Sequence, residues 1–358
     1  MKKIIVLNWA ISKETSWHWN LFKGLHDNYG YEFTVISGRK HWEPRGGGIS
    51  PIYEEEKGIK CYRIFKSIPD FKESFNHRLK EVVNILSKDK HDLILCFHQA
   101  NLGKAKKIQE KLNLPIVLIV EQAFRLSGIQ NGAINDGWKQ KIKDTDLIIS
   151  WSPQDKEFEE RTKVKYLPFG GCFSNIENYV KSYDEKKKNA IAIYQGSITD
   201  GFKNQEDFLI DIPRILTETP IKKMIINGYP LHPESKNIID RLIKMFPGRV
   251  EHKLLQGRLN VLYNLSEAFV GYCPVQDSIM CNFPIEAFGI NVPMLMNKIT
   301  YNVDNNDFFI KNIKNIDTLF NNKSYYEHLT NKAKNYYDKN HSLTAMCDKY
   351  HKELRKVG

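Results

Sequence analysis

A glutamate in the last third of the chain stands in a segment whose residue types suit a phosphate and a sugar hydroxyl. The segment passes from the apolar run Ala268–Pro274 through a polar loop to Pro284 and Glu286. Proline is common in the first turn of a helix, so we predict a helix start whose free N–H groups suit a phosphate. Glu286, inside that first turn, accepts hydrogen bonds from a ribose or sugar hydroxyl. An ordinary βαβ crossover, with Glu286 only complementing the helix dipole, explains the same pattern.

Glycine and lysine follow two other apolar runs in the same half of the chain. The first run, Ala190–Tyr194, leads into Gln195-Gly196-Ser197 and then Lys203. The second run, Lys223–Asn227, is closed by Gly228. Glycine lets a backbone turn tightly and approach a ligand. A lone lysine is ordinarily a solvated surface group, so this one gains meaning only together with the glycines and the downstream glutamate.

In the first half of the chain, polar side chains follow the apolar runs that are typical of strands. They are Asn8, His98, Asn101, Glu121, Gln122 and Ser152. Because ligands bind outside the carboxyl ends of strands in parallel sheets, we expect these side chains to line one ligand-binding crevice. His98 and Glu121 are the candidates there for a catalytic base. A structural hydrogen-bonded histidine and a surface carboxylate are the alternatives.

Apolar runs alternate with helical patterns twice along the chain, which predicts two doubly wound parallel sheets covered by helices. We expect the first Rossmann-like domain over residues 1–170 and the second over residues 190–340, joined by a polar linker over residues 171–189. The last helix, about residues 340–358, has an apolar spacing that suits packing back on the first domain. Two such domains imply a deep cleft between them.

The composition narrows the class of partner. The formal net charge of +11 favours an anionic partner such as a nucleotide, a nucleic acid or an anionic membrane surface. A Lys-rich solubilising surface explains the same charge. The six cysteines form no Cys-x-x-Cys pair, which indicates reduced thiols rather than a disulfide framework or a zinc site. The short apolar start is typical of a first strand, so we expect a cytoplasmic protein, with peripheral membrane contact as an alternative.

The order of these segments resembles a glycosyltransferase of the GT-B fold, most closely the family-four type that uses nucleotide-sugar donors. The resemblance spans nearly the whole chain and is strongest between residues 190 and 296. Gln195-Gly196 with Lys203 resembles the family's glycine-turn-and-lysine element, and Asn227-Gly228 resembles its second strand end. The segment Glu286-Ala-Phe-Gly-Ile-Asn-Val-Pro293 resembles its Glu-Ala-x-x-x-Gly-x-Pro signature, with Asn291 where glycine is usual.

The resemblance implies two domains facing across a cleft, with the acceptor on the first and the donor on the second. Glu286 then binds the nucleotide ribose, while Lys203 and the helix-start amides stabilise the leaving diphosphate without a metal or another cofactor. The expected donor-binding residues are Gly196, Ser197, Lys203, Asn227, Gly228, Ser278, Cys281, Asn282, Phe283 and Glu286. The expected acceptor-side residues are Asn8, Trp9, Asn101 and Gln122, and the catalytic candidates are Glu121, His98 and Lys203.

Two positions depart from the family pattern. Ser278 stands eight residues before Glu286, where the family usually has a second glutamate that contacts the donor sugar. The loop after the first strand, residues 8–13, lacks the usual Gly-Gly pair. A retaining front-face reaction needs mainly positioning and charge stabilisation, whereas an inverting reaction needs His98 or Glu121 as a base. We expect retention, and the sugar and the acceptor stay open.

Three acceptors and one other class of function remain as alternatives. A glycan, a lipid-linked glycan and modified DNA all suit a basic protein with several tryptophans near the acceptor side. DNA binding through phosphates predicts a steep salt dependence. The other class is a GT-B-like sugar-nucleotide epimerase or a non-catalytic nucleotide-binding protein. An epimerase needs a fuller set of acids and bases than this sequence offers.

Overall fold

The computed structural model describes residues 2–11, 17–39, 49–120, 129–130, 133–151, 155–156, 159, 162–167, 176–196, 205–228, 233–254, 258–276, 282–299 and 307–357. The chain forms two compact units. The first comprises Met1–Cys172 with Leu343–Gly358, and the second comprises Phe173–Ser342. The last helix therefore groups with the first unit, and most of the expected linker groups with the second.

The first unit is built on an eight-stranded sheet with the order β10-β9-β6-β5-β1-β2-β4-β3. Its strands are β1 (Lys3–Ala10), β2 (Glu32–Gly38), β3 (Tyr53–Glu56), β4 (Ile59–Phe65), β5 (Leu93–Phe97), β6 (Ile116–Val120), β9 (Leu147–Ser150) and β10 (Val164–Tyr166). A separate hairpin consists of β7 (Ile129–Gln130) and β8 (Ala133–Ile134). The described helices are α1 (Trp17–Tyr29), α2 (Ile68–Glu73), α3 (Leu79–Leu86), α4 (Leu102–Leu112), α5 (Asp136–Lys143) and α13 (Leu343–Leu354).

The described strands of this sheet are parallel except β3, which runs antiparallel to β4 at one edge. β5, β6 and β9 are buried along their whole length, which explains why their sequences are continuous apolar runs. β3 reads Tyr-Glu-Glu-Glu and was not predicted from the sequence. Its charges suit an edge strand, because they discourage pairing with another chain.

α13 packs against α1, so the end of the chain completes the first unit. Gly24 on α1 makes the contact close, because a Cβ there would lie 2.6 Å from the Sγ of Cys347. The rings of Tyr29 and His351 stack with centroids 3.9 Å apart. Trp151, next to the end of β9, donates its indole N–H to the hydroxyl of Tyr350 at 2.9 Å. These contacts explain the apolar spacing of the last helix.

The second unit is built on a six-stranded parallel sheet with the order β13-β12-β11-β14-β15-β16. Its strands are β11 (Ile191–Gln195), β12 (Lys223–Asn227), β13 (Val250–Lys253), β14 (Val270–Gln276), β15 (Met294–Ile299) and β16 (Phe309–Ile310). Its helices are α6 (Tyr183–Asn189), α7 (Gln205–Glu218), α8 (Pro233–Met245), α9 (Arg258–Ser266), α10 (Asn282–Gly289), α11 (Asn315–Asn321) and α12 (Lys323–Asn340). The predicted class, an α/β protein with two parallel-sheet units, is confirmed.

The segment expected to be a linker contains the helix α6. Ser182 and Glu185 form a reciprocal capping box at the start of α6. Tyr183 donates its hydroxyl proton to the carbonyl of Phe320 at 2.5 Å. Lys186, within the charge run Asp-Glu-Lys-Lys-Lys of residues 184–188, is buried. A buried lysine inside a charged run leaves no apolar periodicity in the sequence, so the pattern could not show this packing.

The segment that carries Glu286 differs from the prediction at both of its boundaries. β14 continues through Pro274 to Gln276 instead of ending at the proline. This proline is tolerated because β14 pairs with β11 only at Val270 and Gly271, so no ladder bond to β11 is lost beyond them. α10 begins at Asn282, which leaves no acidic residue in its first turn and places Glu286 one turn further in.

Among the described residues, no helix is both long enough and apolar enough to cross a bilayer.

Candidate functional site

The carboxylate of Glu286 is held from the end of the neighbouring strand. Gln195, the last residue of β11, donates from Nε2 to Oε2 of Glu286 at 2.7 Å. Both side chains are buried, with 2% of Glu286 and 8% of Gln195 exposed. A hydrogen bond to a charged group in such a place fixes its orientation more strongly than a neutral one does. α10 and β11 therefore present Glu286 at the carboxyl edge of the second sheet.

Two glycines let the backbone come close to itself beside this pair. Gly196 has φ of 142°, a left-handed value that favours glycine, and its N–H donates to the carbonyl of Asn227 at 3.1 Å. A Cβ on Gly228 would lie 2.0 Å from the carbonyl oxygen of Gly196. Only glycine fits at position 228 without moving one of the two strand ends. The two predicted glycine positions thus form one tight backbone junction.

Asn227 brings an unsatisfied amide to the same edge. It lies beside Gln195 in the parallel register of β11 and β12. Its side chain is 1% exposed, and within the described structure neither Oδ1 nor Nδ2 has a hydrogen-bond partner. The Oε1 atom of Gln195 is also buried without a partner there. Buried polar atoms are nearly always paired in native proteins, so two acceptors and one donor at this edge suit a ligand that carries hydroxyl groups.

The far end of α10 is anchored by an amine. Lys186 donates from Nζ to the carbonyls of Ile290 at 3.0 Å and Asn291 at 2.7 Å. A cation is favourable at the carbonyl end of a helix, but burial lowers the pKa of this amine to about 7, although Glu185 favours the charged form. Asn291 has φ of +58°, which asparagine adopts more readily than most residues. This backbone conformation explains how asparagine replaces the usual glycine of the signature.

Phe283 packs into the core instead of lining the ligand edge. Its side chain is 3% exposed, and its ring centroid lies 6.2 Å from that of Tyr194 on β11. A Cβ on Gly271 would come within 3.2 Å of the Phe283 ring, so β14 and α10 are in close contact there. The role predicted for this residue rests on its backbone amide near the helix start, and it stays a prediction.

The described polar residues of the first unit, Asn8, Trp9, His98 and Asn101, lie near the carboxyl ends of β1 and β5. His98 follows β5 with φ of +68°, and its Nδ1 accepts from the N–H of Ala100 at 3.2 Å. Burial, together with the positive charge of Lys72, lowers the pKa of this imidazole. Its ring lies 4.1 Å from the Trp9 ring, measured between centroids. A neutral imidazole is thereby favoured near pH 7.

Asn101 and Asn8 are used inside the protein. Asn101 is fully buried, accepts from the indole N–H of Trp9 at 2.8 Å and donates to the carbonyl of Phe97 at 2.7 Å. It therefore holds Trp9 in place. Asn8 is also buried and lies 3.4 Å from Nε2 of His18, measured from its Nδ2. Of the predicted acceptor-side residues described here, Trp9 alone keeps part of its side chain exposed.

Several predicted residues lie outside the described residues and stay predictions. They are Glu121, Gln122, Ser152, Ser197, Lys203, Ser278 and Cys281. Asn282 is described only as the first residue of α10. Among the described residues, no group of three or more histidine, cysteine, aspartate or glutamate side chains could hold a metal ion.

Sequence reasoning missed the two residues that hold α10. Gln195 was noted only as the neighbour of a glycine, and its partner is 91 positions away. Lys186 was assigned to the linker, and the carbonyls that it contacts are more than 100 positions away. A polar residue that ends a buried strand was the one available signal for Gln195, because such residues lie at the ligand edge of parallel sheets.

No protein-family model and no curated protein matches the sequence. Solved structures do resemble it over its whole length. Sucrose-phosphate synthase from Thermosynechococcus elongatus is 11% identical with a TM-score of 0.72, each chain covered to 99%. HepE of Anabaena in complex with UDP-glucose is 11% identical with a TM-score of 0.66, each covered to 100%. The catalytic domain of starch synthase IV from Arabidopsis thaliana, bound to ADP and acarbose, is 10% identical with a TM-score of 0.68, each covered to 99%.

The chain therefore has the GT-B fold, as the resemblance of its motifs predicted. At these levels of identity the likeness concerns the fold, and the argument about activity has to come from the residues at the strand ends.

Proposed function

We propose that this protein is a glycosyltransferase that moves a sugar from a nucleotide-sugar donor to an acceptor hydroxyl. The observation that carries the proposal is the buried pair of Glu286 and Gln195 beside the unsatisfied amide of Asn227. Carboxylate and carboxamide oxygens accept from the hydroxyl groups of a ribose or a sugar, and the amide donates to them. Support also comes from proteins of the same fold that were solved with UDP-glucose or with ADP and acarbose.

The proposed chemistry needs charge stabilisation more than a protein nucleophile. As the glycosidic bond to the donor breaks, negative charge grows on the leaving nucleoside diphosphate. Lys203 and the amides at the start of α10 would stabilise that charge without a metal. In the retaining reaction that we propose, the leaving phosphate takes the acceptor proton. His98 would act as the base only in an inverting reaction.

The direct test combines a panel of UDP-, GDP-, CDP- and ADP-sugars with thermal shift and nucleotide release. A ligand that binds the native state raises the melting temperature. We expect one nucleotide to stabilise the protein and its sugar donor to release that nucleotide when acceptor is present. Glu286→Gln should lower donor affinity about 10- to 100-fold, the range for a lost hydrogen bond to a charged group. The exposed Glu327→Gln on α12 is the matched control and should change nothing.

The same panel separates the alternatives. Stabilisation without release of nucleotide would indicate a non-catalytic binding protein, and an isomerised sugar on an intact nucleotide would indicate an epimerase. Full donor affinity in Glu286→Gln would refute the site. Proton NMR of the first product reports whether the anomeric configuration is retained. Activity that survives EDTA treatment would support a metal-free reaction, and activity lost with EDTA and restored by a divalent cation would contradict it.

A further inference from the structure

Two lysines and an aromatic platform gather at the carboxyl edge of the first sheet. Nζ of Lys72, on α2, lies 4.4 Å from the ring centroid of Trp9. Nζ of Lys104, in the first turn of α4, lies 5.5 Å from the ring centroid of Phe71 and 5.8 Å from that of Phe75. Amines at these distances are attracted by the faces of the rings. The rings hold the lysine side chains in place without neutralising them.

Within the described structure, no carboxylate forms an ion pair with Lys72 or Lys104. Two other lysines of α4 do have partners. Lys106 pairs with Asp144 at 2.9 Å, and Lys107 donates to Oδ1 of Asn76 at 2.7 Å. Burial lowers the pKa of Lys104, and the positive charges of Lys72 and Lys107 lower it further. Lys104 also stands at the positive end of its helix, where a cation is unfavourable. The amines of Lys72 and Lys104 thus repel each other in a place that an anion would stabilise.

The backbone fixes this arrangement. A Cβ on Gly38 would lie 2.9 Å from the carbonyl oxygen of Trp9 and 3.0 Å from that of Ser67. Glycine therefore lets the end of β2 lie close to both the end of β1 and the start of α2. Ser67 caps α2 by accepting from the N–H of Asp70 at 3.3 Å. The position of Lys72 over Trp9 follows from these contacts and not from a free loop.

We propose that Lys72 and Lys104 bind a phosphate group of the acceptor and that Trp9 stacks on its sugar ring. The acceptor is then a phosphorylated sugar, an inference that rests on the glycosyltransferase activity proposed above. A phosphate dianion matches two ammonium groups in charge, and lysine binds phosphate as a point charge. Part of the Trp9 side chain is exposed, and an indole ring suits the apolar face of a sugar. Two lysines beside one ring match a single phosphate in charge, whereas a nucleic acid is held through many phosphate contacts along its backbone.

The test measures binding of glucose 6-phosphate, inorganic phosphate and unphosphorylated glucose to the full chain by calorimetry and thermal shift. We expect both phosphates to bind, glucose 6-phosphate more tightly than inorganic phosphate, and glucose only weakly. The double variant Lys72→Met/Lys104→Met should bind glucose 6-phosphate at least about 10-fold more weakly, since charge-assisted contacts are lost. Lys80→Met/Lys111→Met removes the same charge at exposed positions of α3 and α4 and should bind within about 2-fold of the parent, because remote surface charges are screened.

Three results would overturn the proposal: no binding of either phosphate, equal weakening in both double variants, or tighter binding of duplex DNA than of glucose 6-phosphate. Its failure is separable from failure of the proposed activity. Nucleotide stabilisation should be unchanged in Lys72→Met/Lys104→Met, and phosphate binding should be unchanged in Glu286→Gln. Retained nucleotide binding with no phosphate site would refute only the acceptor inference.

Discussion

The two units have the same kind of parallel sheet but place opposite chemistry at its carboxyl edge. In the second unit, Glu286, Gln195 and Asn227 are buried, and the two described glycines form a tight junction. In the first unit, Lys72 and Lys104 lie over aromatic rings without an acidic partner among the described residues. The side chains of the second unit accept hydrogen bonds from hydroxyl groups, whereas the lysines of the first unit attract an anion.

The difference shows that fold alone does not assign a ligand to a strand end. Both edges are where a parallel α/β sheet binds ligands. The side chains decide which group each edge can satisfy, because buried amides need hydrogen-bond partners and clustered amines need negative charge. Substitutions that disturb one edge and spare the other are the way to test this division.

The largest effect is expected from Gly228→Ala in the second unit. A Cβ there meets the Gly196 carbonyl at 2.0 Å, so a strand end has to move. We expect a loss of about 3 kcal/mol or more in the free energy of unfolding, as for overpacked or strained sites, together with loss of nucleotide binding. Urea unfolding measures the first and thermal shift the second.

Gly103→Ala on α4 of the first unit is the matched control, because a Cβ there has no neighbour within 4 Å. Alanine in the helix should leave stability unchanged or raise it by about 0.5–1 kcal/mol. A Gly228→Ala protein as stable as the parent would contradict the close approach of the two strand ends.

The next effect concerns the amide that holds Glu286. Gln195→Met keeps the approximate shape and removes the donor to Oε2 of Glu286. We expect about 1.5–3 kcal/mol lower stability, the range for hydrogen bonds to charged groups, and weaker nucleotide binding. Gln109→Met in the first unit, which breaks a bond to the neutral carbonyl of Leu114, should cost only about 1 kcal/mol. Equal losses in the two variants would mean that Gln195 has no special relation to the carboxylate.

The sequence predicted the parts of this site that depend on local pattern. Apolar runs located the described strands on which the site is built, and Pro284 indicated the helix that carries Glu286 within two residues of its start. The contacts that hold the helix could not be predicted, because they join residues far apart in the chain. Lys186 shows the limit, since a buried lysine inside a charged run has no apolar periodicity. The approach of Gly228 to Gly196 is likewise a property of two adjacent strand ends.

A third effect, of about 2 kcal/mol, should appear as a dependence on pH. Lys186 has a pKa of about 7 in the folded protein, lowered from 10.5, so above pH 7 the folded chain binds fewer protons than the unfolded chain. Stability therefore rises with pH between these two values, falls as pH drops from 10.5 towards 7, and no longer depends on this amine below pH 7, where both states bind the proton. Comparing the parent with Lys186→Met in urea, we expect the parent to gain about 2 kcal/mol relative to the variant between pH 7 and pH 9.

A difference between these two proteins that does not change with pH would show that the amine stays charged at the end of α10. Lys104→Met in the first unit is the comparison, because Lys104 is only half-buried and its burial-lowered pKa should give a smaller dependence. The two variants would thus distinguish Lys186, a buried lysine at the end of α10, from Lys104, a partly exposed lysine of the proposed anion site.

The smallest expected effect concerns backbone strain at His98. The glycine junction of the second unit avoids this kind of strain because its residue with positive φ is a glycine, Gly196. His98 has φ of +68°, which costs a residue with a side chain more than it costs glycine. His98→Gly and His98→Ala both lose the imidazole that accepts from Ala100, so their difference isolates the backbone. We expect the glycine variant to be about 1 kcal/mol more stable in urea unfolding. An alanine variant that is equally or more stable would mean that the chain relaxes at this strand end, and the first edge would then be less rigid than the second.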